Sequence, residues 1–562
     1  MTKLPGMFSK RHSTFFRLVS TALLFGGLGL LLGTVWVGRN RSKEEDLILI
    51  NSIKFRELLS LIHTDYIDAT NTDSLADAAL ESMVEELDPH SYYISKKEVF
   101  SGSMQLESNF EGIGAEFQFI EDTIWVSSII PESPSEKAGL QAGDKILTVN
   151  RIAVSGVNIS HQELTNLVRG PKGTPVVVQI LRGKIGETKA LNITRDRIQS
   201  KSLDFIDMAE PGLGYIKCSR FTQTTAHEMR EALMVLIAKG AKSLILDLRD
   251  NSGGYVSAAI KVADEFLADN QLIVYTEGRN PEHNARTIAT SSGLFESGNL
   301  LVLINENTAS AAEIVTGALQ DNDRALILGR RSFGKGLVQA PITLTDGSEI
   351  RLTISRYFTP SGRCIQKGFQ RKKRQAYFKE ADNRISTGEF FNKDSIKTHG
   401  RPVFKTRLGR KVYGGGGIIP DVFASKDSLN QTEWISKLID KPVLYAFILK
   451  YFNKNQSSLK LYAIENFKSD FELSLIDMED LRKHLIEYGS EIPRKDFDKL
   501  KSKFSLYVKA GIAKCLWQYD GFFKVVNQKD VEIRKAIEFA PKSKKTLDQM
   551  VSNKNKFKSN FD

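Results

Sequence analysis

The sequence predicts a multidomain α+β chain: an N-terminal transmembrane helix, a helical segment, a small β domain with two helices, an α/β core, and a helical C-terminal extension. Three observations predict it. The uncharged stretch "LVSTALLFGGLGLLLGTVWVG" fills residues 18–38; short alternating strands separated by glycine turns run from 104 to 198; and from about 210 to 360 near-continuous apolar strands alternate with amphipathic helices. At 562 residues the chain is several times longer than one hydrophobic core requires. Its 41% hydrophobic and 26% charged residues are the composition of folded protein and exclude a mainly disordered chain.

Residues 18–38 are long enough to cross a bilayer as a helix. The rival is a cleaved signal peptide, whose apolar region runs about 7–15 residues and ends in an A-x-A-like site. This stretch is longer and lacks the site, so an uncleaved anchor is expected. Lys3, Lys10, Arg11 and Arg17 precede it, while Arg39, Arg41 and Lys43 follow beside Glu44, Glu45 and Asp46. That small positive-inside bias places residues 1–17 in the cytoplasm and the remainder outside.

Residues 44–103 form the helical segment. Ile53, Phe55, Leu58, Leu59 and Ile62 recur at helical spacing, and "SLADAALESMVEELDPHS" gives a second helix closed at Pro89, with His90 as a turn residue. In the β domain, 104–198, the strands "GAEFQFI", "TIWVSSII", "KILTVN", "PVVVQILR" and "KALNITR" are interrupted by the helices "SPSEKAGL" and "SHQELTNLVRG". Gly112 and Gly114 flank Ile113 in "NFEGIGAEF". That suits a backbone offering N–H groups to an anion, or an ordinary glycine turn.

The α/β core, 199–425, contains "LGYIKCSRF", "SLILDLR", "LLVLINE" and "ALILG" as strands, with helices over 223–239 and 256–267 and one opening at Ser310. A hairpin is expected around Asp346-Gly347. Residues 367–414, polar and basic, form an insertion in this core, and 426–562 form the helical extension, which carries no chemical motif. The extension is the candidate surface for self-association or an adaptor.

The formal net charge of +11 is spread along the chain and concentrates only locally, as in "QRKKRQ" at 370–375. It reads as a solvated basic surface, and no nucleic-acid partner is expected. The three cysteines, Cys218, Cys364 and Cys515, lie far apart, which excludes a disulfide framework and a CxxC metal site. No metal and no other cofactor is expected.

Chemistry concentrates in "NENTASAAEIVTGALQDNDRALILGRRSFGKGLVQ", residues 305–339. "SAAE" is a capping box in which Ser310 caps the helix and Glu313 reaches back. Ser310 also stands at a strand-to-helix turn, where the amide of Ala311 lies at the positive end of a helix and can stabilise an oxyanion. A second such turn, "DLRDNSGGYV" at 247–256, offers Gly253 and Gly254 for close backbone approach. No histidine lies in either turn. Lys335 is the remaining base, provided desolvation brings its pKa toward neutrality, and Gln339 can accept a hydrogen bond from its amine. "GRRSFGK" also fits GxxxxGK at 329–335. The next residue is glycine where a phosphate loop needs Ser or Thr, however, and an apolar strand follows where it needs a helix.

These motifs, with "GIGAEF", "SPSEKAGLQAGDKILTVN", "LVRGPKG", "RYFTPSGRCIQ", "GIIPDV" and "LDPHS", resemble the C-terminal processing peptidases, tail-specific serine proteases of the S41 type, over roughly 47–425. The resemblance implies a PDZ domain at 104–198 ahead of an α/β (ClpP/crotonase-like) serine protease core at 199–425. It implies Ser310 as nucleophile, Lys335 as base and Gln339 as the residue orienting it. The amides of Ala311 and Gly254 would form the oxyanion hole, with Gly253 as the alternative. Gly112, Ile113, Gly114 and Ala115 would bind a substrate's terminal carboxylate, with the tail adding as a strand along "AEFQF". Arg169 would couple that capture to the active site, or serve only as a helix C-terminal cation. The implied partners are protein or peptide C-terminal tails and, through 18–38, the inner membrane. The implied location is the cell envelope, with the protease facing the periplasm, or the periplasm itself if the anchor is cleaved. A catalytically inactive PDZ scaffold is the other reading; the intact Ser310, Lys335, Gln339 and glycine turns disfavour it. The insertion and the extension depart from the simplest members of the family.

Overall fold

The computed structural model describes residues 43–102, 109–183, 186–199, 201–370, 373–426, 442–490 and 492–558. The expected membrane anchor at 18–38 therefore lies outside the described residues. Among the described residues no helix is long and apolar enough to cross a membrane. Two compact units divide the chain, one ending at Met83 and the other beginning at Val84.

In the first unit the helix Lys43–Asp65 opens with Glu44, Glu45 and Asp46, acidic groups that favour the positive end of the helix dipole. Its apolar residues, among them Leu47, Ile48, Leu58 and Leu61, are exposed. A second helix begins at Thr72 and ends at Glu85, just past the division, earlier than the Pro89 stop expected from sequence. Leu87 to Ser91 belong to the second unit.

The second unit holds the β domain, the core and the extension. In the β domain five antiparallel strands run in the order Ala115–Ile120, Thr123–Ile129, Lys145–Val149, Pro175–Arg182, Glu187–Thr194, with Ile152–Ala153 beside Lys145–Val149. Val176, Val178 and Ile180 are buried between more exposed neighbours, the period-two signature of a half-buried strand. With Ile113, Val126, Ile146, Leu164 and Ile193 they make one core.

The α/β core is a six-stranded sheet in the order Leu203–Glu210, Leu213–Cys218, Ser243–Asp247, Asn299–Ile304, Leu326–Gly329, Val422–Phe423. Its first pair is antiparallel and the rest are parallel. Parallel strands need cover on both faces. Leu244, Leu246, Leu300, Val302 and Ile304 face the helices Thr225–Ala238, Val256–Asp264 and Ala311–Asp321. The alternate residues Ile245, Leu301 and Leu303 face Ile533, Ala536, Ala540 and Leu547 of the extension. The extension thus supplies the second cover of the sheet. A second sheet carries Leu337–Thr343 against Glu349–Phe358, joined at Gly347 (φ +94°) as the hairpin expected from sequence.

Arginines fasten the insertion. Arg331 and Arg384 converge on Glu389, and Arg410 pairs with Asp323 and Asp421. All three arginines are buried, so the basic composition read as solvated surface is here partly internal. The extension's helices Pro442–Leu459, Ile464–Asp470, Leu475–Glu487 and Arg494–Val526 form their own core. The last is kinked at Trp517 and Gln518, where Gln518 has φ +58°.

On one side of the kink the extension meets the β domain. Lys514 Nζ lies 2.7 Å from Glu116 Oε2, and Ala446, Leu449 and Cys515 pack on Ile120 and Trp125. On the other side Phe523 stacks on Phe205, and Asp530 and Glu532 pair with Arg249. Replacing Lys514 by Ala should therefore destabilise the chain by about 1.5–3 kcal/mol, the worth of a charge-assisted hydrogen bond. The urea midpoint measures this, and an unchanged midpoint would show that docking does not depend on the pair.

Candidate active site

The strand Asn299–Ile304 ends in a turn stitched to its neighbour. Asn305 N–H donates to Thr308 Oγ1 at 2.9 Å, Thr308 Oγ1 donates to the Leu248 carbonyl at 2.8 Å, and Ala309 N–H donates to the Asn251 carbonyl at 2.9 Å. Ser310 follows with φ +55° and ψ −116°, a conformation that non-glycine residues rarely adopt. The chain then enters the wholly buried helix Ala311–Asp321. This is a sharp strand-to-helix elbow that lifts one hydroxyl off the sheet edge.

The capping-box arrangement expected from sequence is present. Ser310 N–H donates to Glu313 Oε2 at 2.9 Å, while the serine side chain makes no cap hydrogen bond, although it faces the Glu313 amide in the capping-box arrangement. The hydroxyl is thereby left for other work. Glu313 is fully buried and collects three more donors: Ser332 Oγ at 2.5 Å, Gly334 N–H at 2.7 Å and Lys335 N–H at 2.9 Å. Burial pushes its carboxyl up to about 7 against these hydrogen bonds, which favour the ionised form. A single oxygen, Oε2, receives the amides of both Ser310 and Lys335.

Lys335 donates through Nζ to Gln339 Oε1 at 2.7 Å. Burial lowers its pKa, opposed by the negative charges of Asp88 and Glu313. No hydrogen bond joins its amine to the Ser310 hydroxyl among the described residues. Gln339 Nε2 in turn donates to the backbone carbonyl of His90. With its amide nitrogen so occupied, Gln339 can present only oxygen to the lysine. The turn that carries the His90 carbonyl is braced on one side, where Asp88 accepts His90 N–H at 2.8 Å, Ser91 N–H at 3.0 Å and Ser91 Oγ at 2.6 Å.

The glycine turn at 247–256 packs against the Ser310 elbow. A Cβ on Gly253 (φ +107°) would lie 2.8 Å from the Ser310 Cβ, and one on Gly254 (φ +141°) 2.0 Å from the Phe221 carbonyl oxygen. Only glycine fits either place. Gly253 N–H is already taken by Asn251 Oδ1 at 2.9 Å. The amides of Ala311 and Gly254 donate to no protein group among the described residues. The geometry therefore leaves Ala311 and Gly254 as available donors and removes Gly253.

In the β domain the carbonyls of Ile113 and Gly114 are engaged: Ser135 N–H donates to the former at 2.8 Å, Ile130 N–H and Ser133 Oγ to the latter at 3.0 Å. Ile113 is buried, Gly112 pairs with Asp196, and Ala115 opens a strand whose only partner in the sheet, among the described residues, is Thr123–Ile129. Its other edge pairs with no strand among the described residues. Arg169 lies at the end of a helix and beside the 112–115 loop. Its amide caps the helix His161–Val168 at the Thr165 carbonyl, and its guanidinium lies 4.9 Å from the Phe110 ring centre, beside Gly112.

Sequence reasoning missed three contributors. Glu313 was readable only as a cap. The His90 carbonyl had a faint signal, the Asp-Pro-x-Ser spacing that makes a carboxylate-locked turn. Tyr377, whose hydroxyl lies 2.8 Å from His90 Nε2, had none.

The model of Peptidase family S41 matches residues 212–372, a PDZ domain model 125–182, and a family of unknown function (DUF8443) 434–518. The chain is 35% identical over 315 residues to the carboxy-terminal processing protease CtpA of Bacillus subtilis, covering 56% of this chain and 66% of that one. It is 35% identical over 317 residues to the carboxy-terminal-processing protease of Bartonella bacilliformis, covering 56% and 72%. A solved structure, the photosystem II D1 C-terminal processing protease, is 26% identical and covers 69% of this chain and 91% of that one, at a TM-score of 0.35 too low to carry weight. The chain spans just under two thirds of the length of the Bacillus relative, 66%.

Replacing Glu313 by Gln keeps its size but turns an NH2 toward two N–H or O–H donors. Each orphaned donor should cost about 1–3 kcal/mol. Because burial raises the folded pKa of Glu313 from 4.5 to about 7, its stabilising contribution is complete below 4.5 and lost as pH rises through 7. The stability gap between wild type and E313Q should shrink over that window in denaturant titrations at several pH values. A gap constant with pH would mean that Glu313 does not titrate there.

Proposed function

Because the chain belongs to peptidase family S41, alongside the carboxy-terminal processing proteases, we propose that it is a serine endopeptidase cleaving proteins near their C-termini through a Ser310–Lys335 dyad. The observation that carries this reading is the Glu313 oxygen shared by the Ser310 and Lys335 amides. It fixes the two backbones to each other without engaging the serine hydroxyl or the lysine amine, the latter held by Gln339.

The chemistry follows from the groups present. Neutral Lys335 takes the hydroxyl proton as Ser310 Oγ attacks the scissile carbonyl carbon. The oxyanion is met by the Ala311 and Gly254 amides, whose only gain comes as charge develops. Lys335 returns the proton to the departing amine, the C–N bond breaks, and Ser310 holds the acyl group as an ester. Water then attacks the ester with Lys335 again as base, releasing the carboxylate and restoring the hydroxyl. Gln339 supplies the acceptor that keeps the amine in place through both halves.

The 112–115 loop would take the tail's carboxylate, with the tail pairing along the other edge of Ala115–Ile120 and Arg169 at the loop's mouth. Residues 18–38 would anchor the enzyme in the inner membrane with the protease facing the periplasm, where envelope proteins are its substrates. Self-association or an adaptor would use outward residues of the extension such as Leu461, Leu475 and Ile476, which are exposed, since the inward faces already cover the core.

Ser310→Ala and Lys335→Ala should each lower cleavage of a peptide with an apolar C-terminus by roughly 10³-fold or more while thermal unfolding stays close to wild type. Retained cleavage in either variant removes the dyad. A wild-type chain that neither cleaves nor labels at Ser310 with a serine-directed fluorophosphonate would instead be a binding scaffold. Because burial lowers the Lys335 pKa, kcat/KM should climb from neutral to mildly alkaline pH as the amine loses its proton. A profile flat across that range counts against a titrating lysine.

A further inference from the structure

The insertion reaches the lysine. Its helix Arg374–Phe378 carries Tyr377, which is buried, and the Tyr377 hydroxyl lies 2.8 Å from His90 Nε2. Gln366 Nε2 donates to that hydroxyl at 3.1 Å, and Gly336 N–H, next to Lys335, donates to Gln366 Oε1 at 2.8 Å. On the other side Lys335 Nζ donates to Gln339 Oε1, and Gln339 Nε2 to the His90 carbonyl. The hydrogen bonds close a ring from the backbone beside Lys335 through Gln366, Tyr377, His90 and Gln339 back to the Lys335 amine.

The tyrosine hydroxyl accepts from Gln366 and lies within reach of His90 Nε2, to which it can donate its one proton. That requires a neutral imidazole with a bare Nε2. Burial, with the positive charge of Lys335, holds His90 down to about 4, so it remains neutral throughout the working range. The ring of Tyr377 adds a wall: it packs edge-on to His90, Phe333 and Phe378, and the Lys367 ammonium sits 4.1 Å over its face while donating to its carbonyl at 3.0 Å. The insertion thus both screens this side of the site and holds His90.

We infer that Tyr377, supplied by the insertion, is a positioning residue for the Lys335 base, acting through His90 and Gln339. This rests on the dyad proposed above. Without the hydroxyl His90 loses its fixed partner, its carbonyl is held only by the Asp88 turn, and Gln339 can rotate its oxygen away from the amine. Lys335 then regains access to water. The charged groups around it are Asp88 and Glu313, and around His90 they are Lys335, Asp88, Lys367 and Arg374.

The test is Tyr377→Phe in the full chain, which deletes the hydroxyl and keeps the ring. With a peptide of apolar C-terminus, kcat should fall roughly three- to tenfold, the worth of one neutral hydrogen bond. KM should stay within about twofold. The midpoint of the rise of kcat with pH should move upward as the amine recovers solvent. An unchanged kcat and midpoint overturns the inference. So does a fall in kcat that accompanies a lower melting temperature with an unmoved midpoint, since that is a structural defect alone. If wild type neither cleaves nor labels at Ser310, the dyad itself fails and this inference with it.

Discussion

The candidate site depends on one buried carboxylate. Glu313 receives the N–H groups of Ser310, Gly334 and Lys335 and the hydroxyl of Ser332. It thereby ties a helix start to a loop more than twenty residues further along the chain. A charge so deep is costly to bury unless every lone pair is used, and here both oxygens carry two donors each. The same satisfaction makes the arrangement rigid. Neither Ser310 nor Lys335 can shift without orphaning a donor in the interior.

Around that point the fold solves a covering problem. A parallel sheet exposes apolar residues on two faces, and the core's own helices cover one of them. Ile533, Ala536 and Leu547 of the extension cover the other. Asp530 and Glu532 draw those helices onto Arg249, which already pairs with Asp247 at the end of the strand Ser243–Asp247. The same extension meets Glu116 through Lys514, on the strand Ala115–Ile120 of the β domain. Packing therefore joins the sheet that carries Ser310 to the strand beside the 112–115 loop through one helical element.

The lysine shows how two weak devices combine. Desolvation alone lowers an amine's pKa but leaves its direction undefined. Gln339 alone gives a direction, yet an amide can flip and offer its nitrogen. The His90 carbonyl removes that freedom by taking the Gln339 nitrogen. A base that is neutral and aimed needs both the dry surroundings and the occupied amide.

Local chemistry was legible in the order of residues. The period-two pattern of "PVVVQILR", the turn at Asp346-Gly347 and the strand-to-helix position of Ser310 are set by neighbours within a few positions, and the structure carries each of them. So are the glycines at 253 and 254, because a positive φ is a property of one residue. What joins distant segments was not legible. That Glu313 would hold Lys335 as well as Ser310, and that Tyr377 would reach His90, depend on contacts across tens to hundreds of positions. The extension's place on the sheet was equally hidden, since an amphipathic helix states that it needs a partner but not which one. The sequence by itself determined most elements, the turns and the residue types gathered at the candidate site, all short-range steric and hydrogen-bonding preferences. Only the tertiary structure decided which buried donor meets which acceptor, because that choice is made by packing.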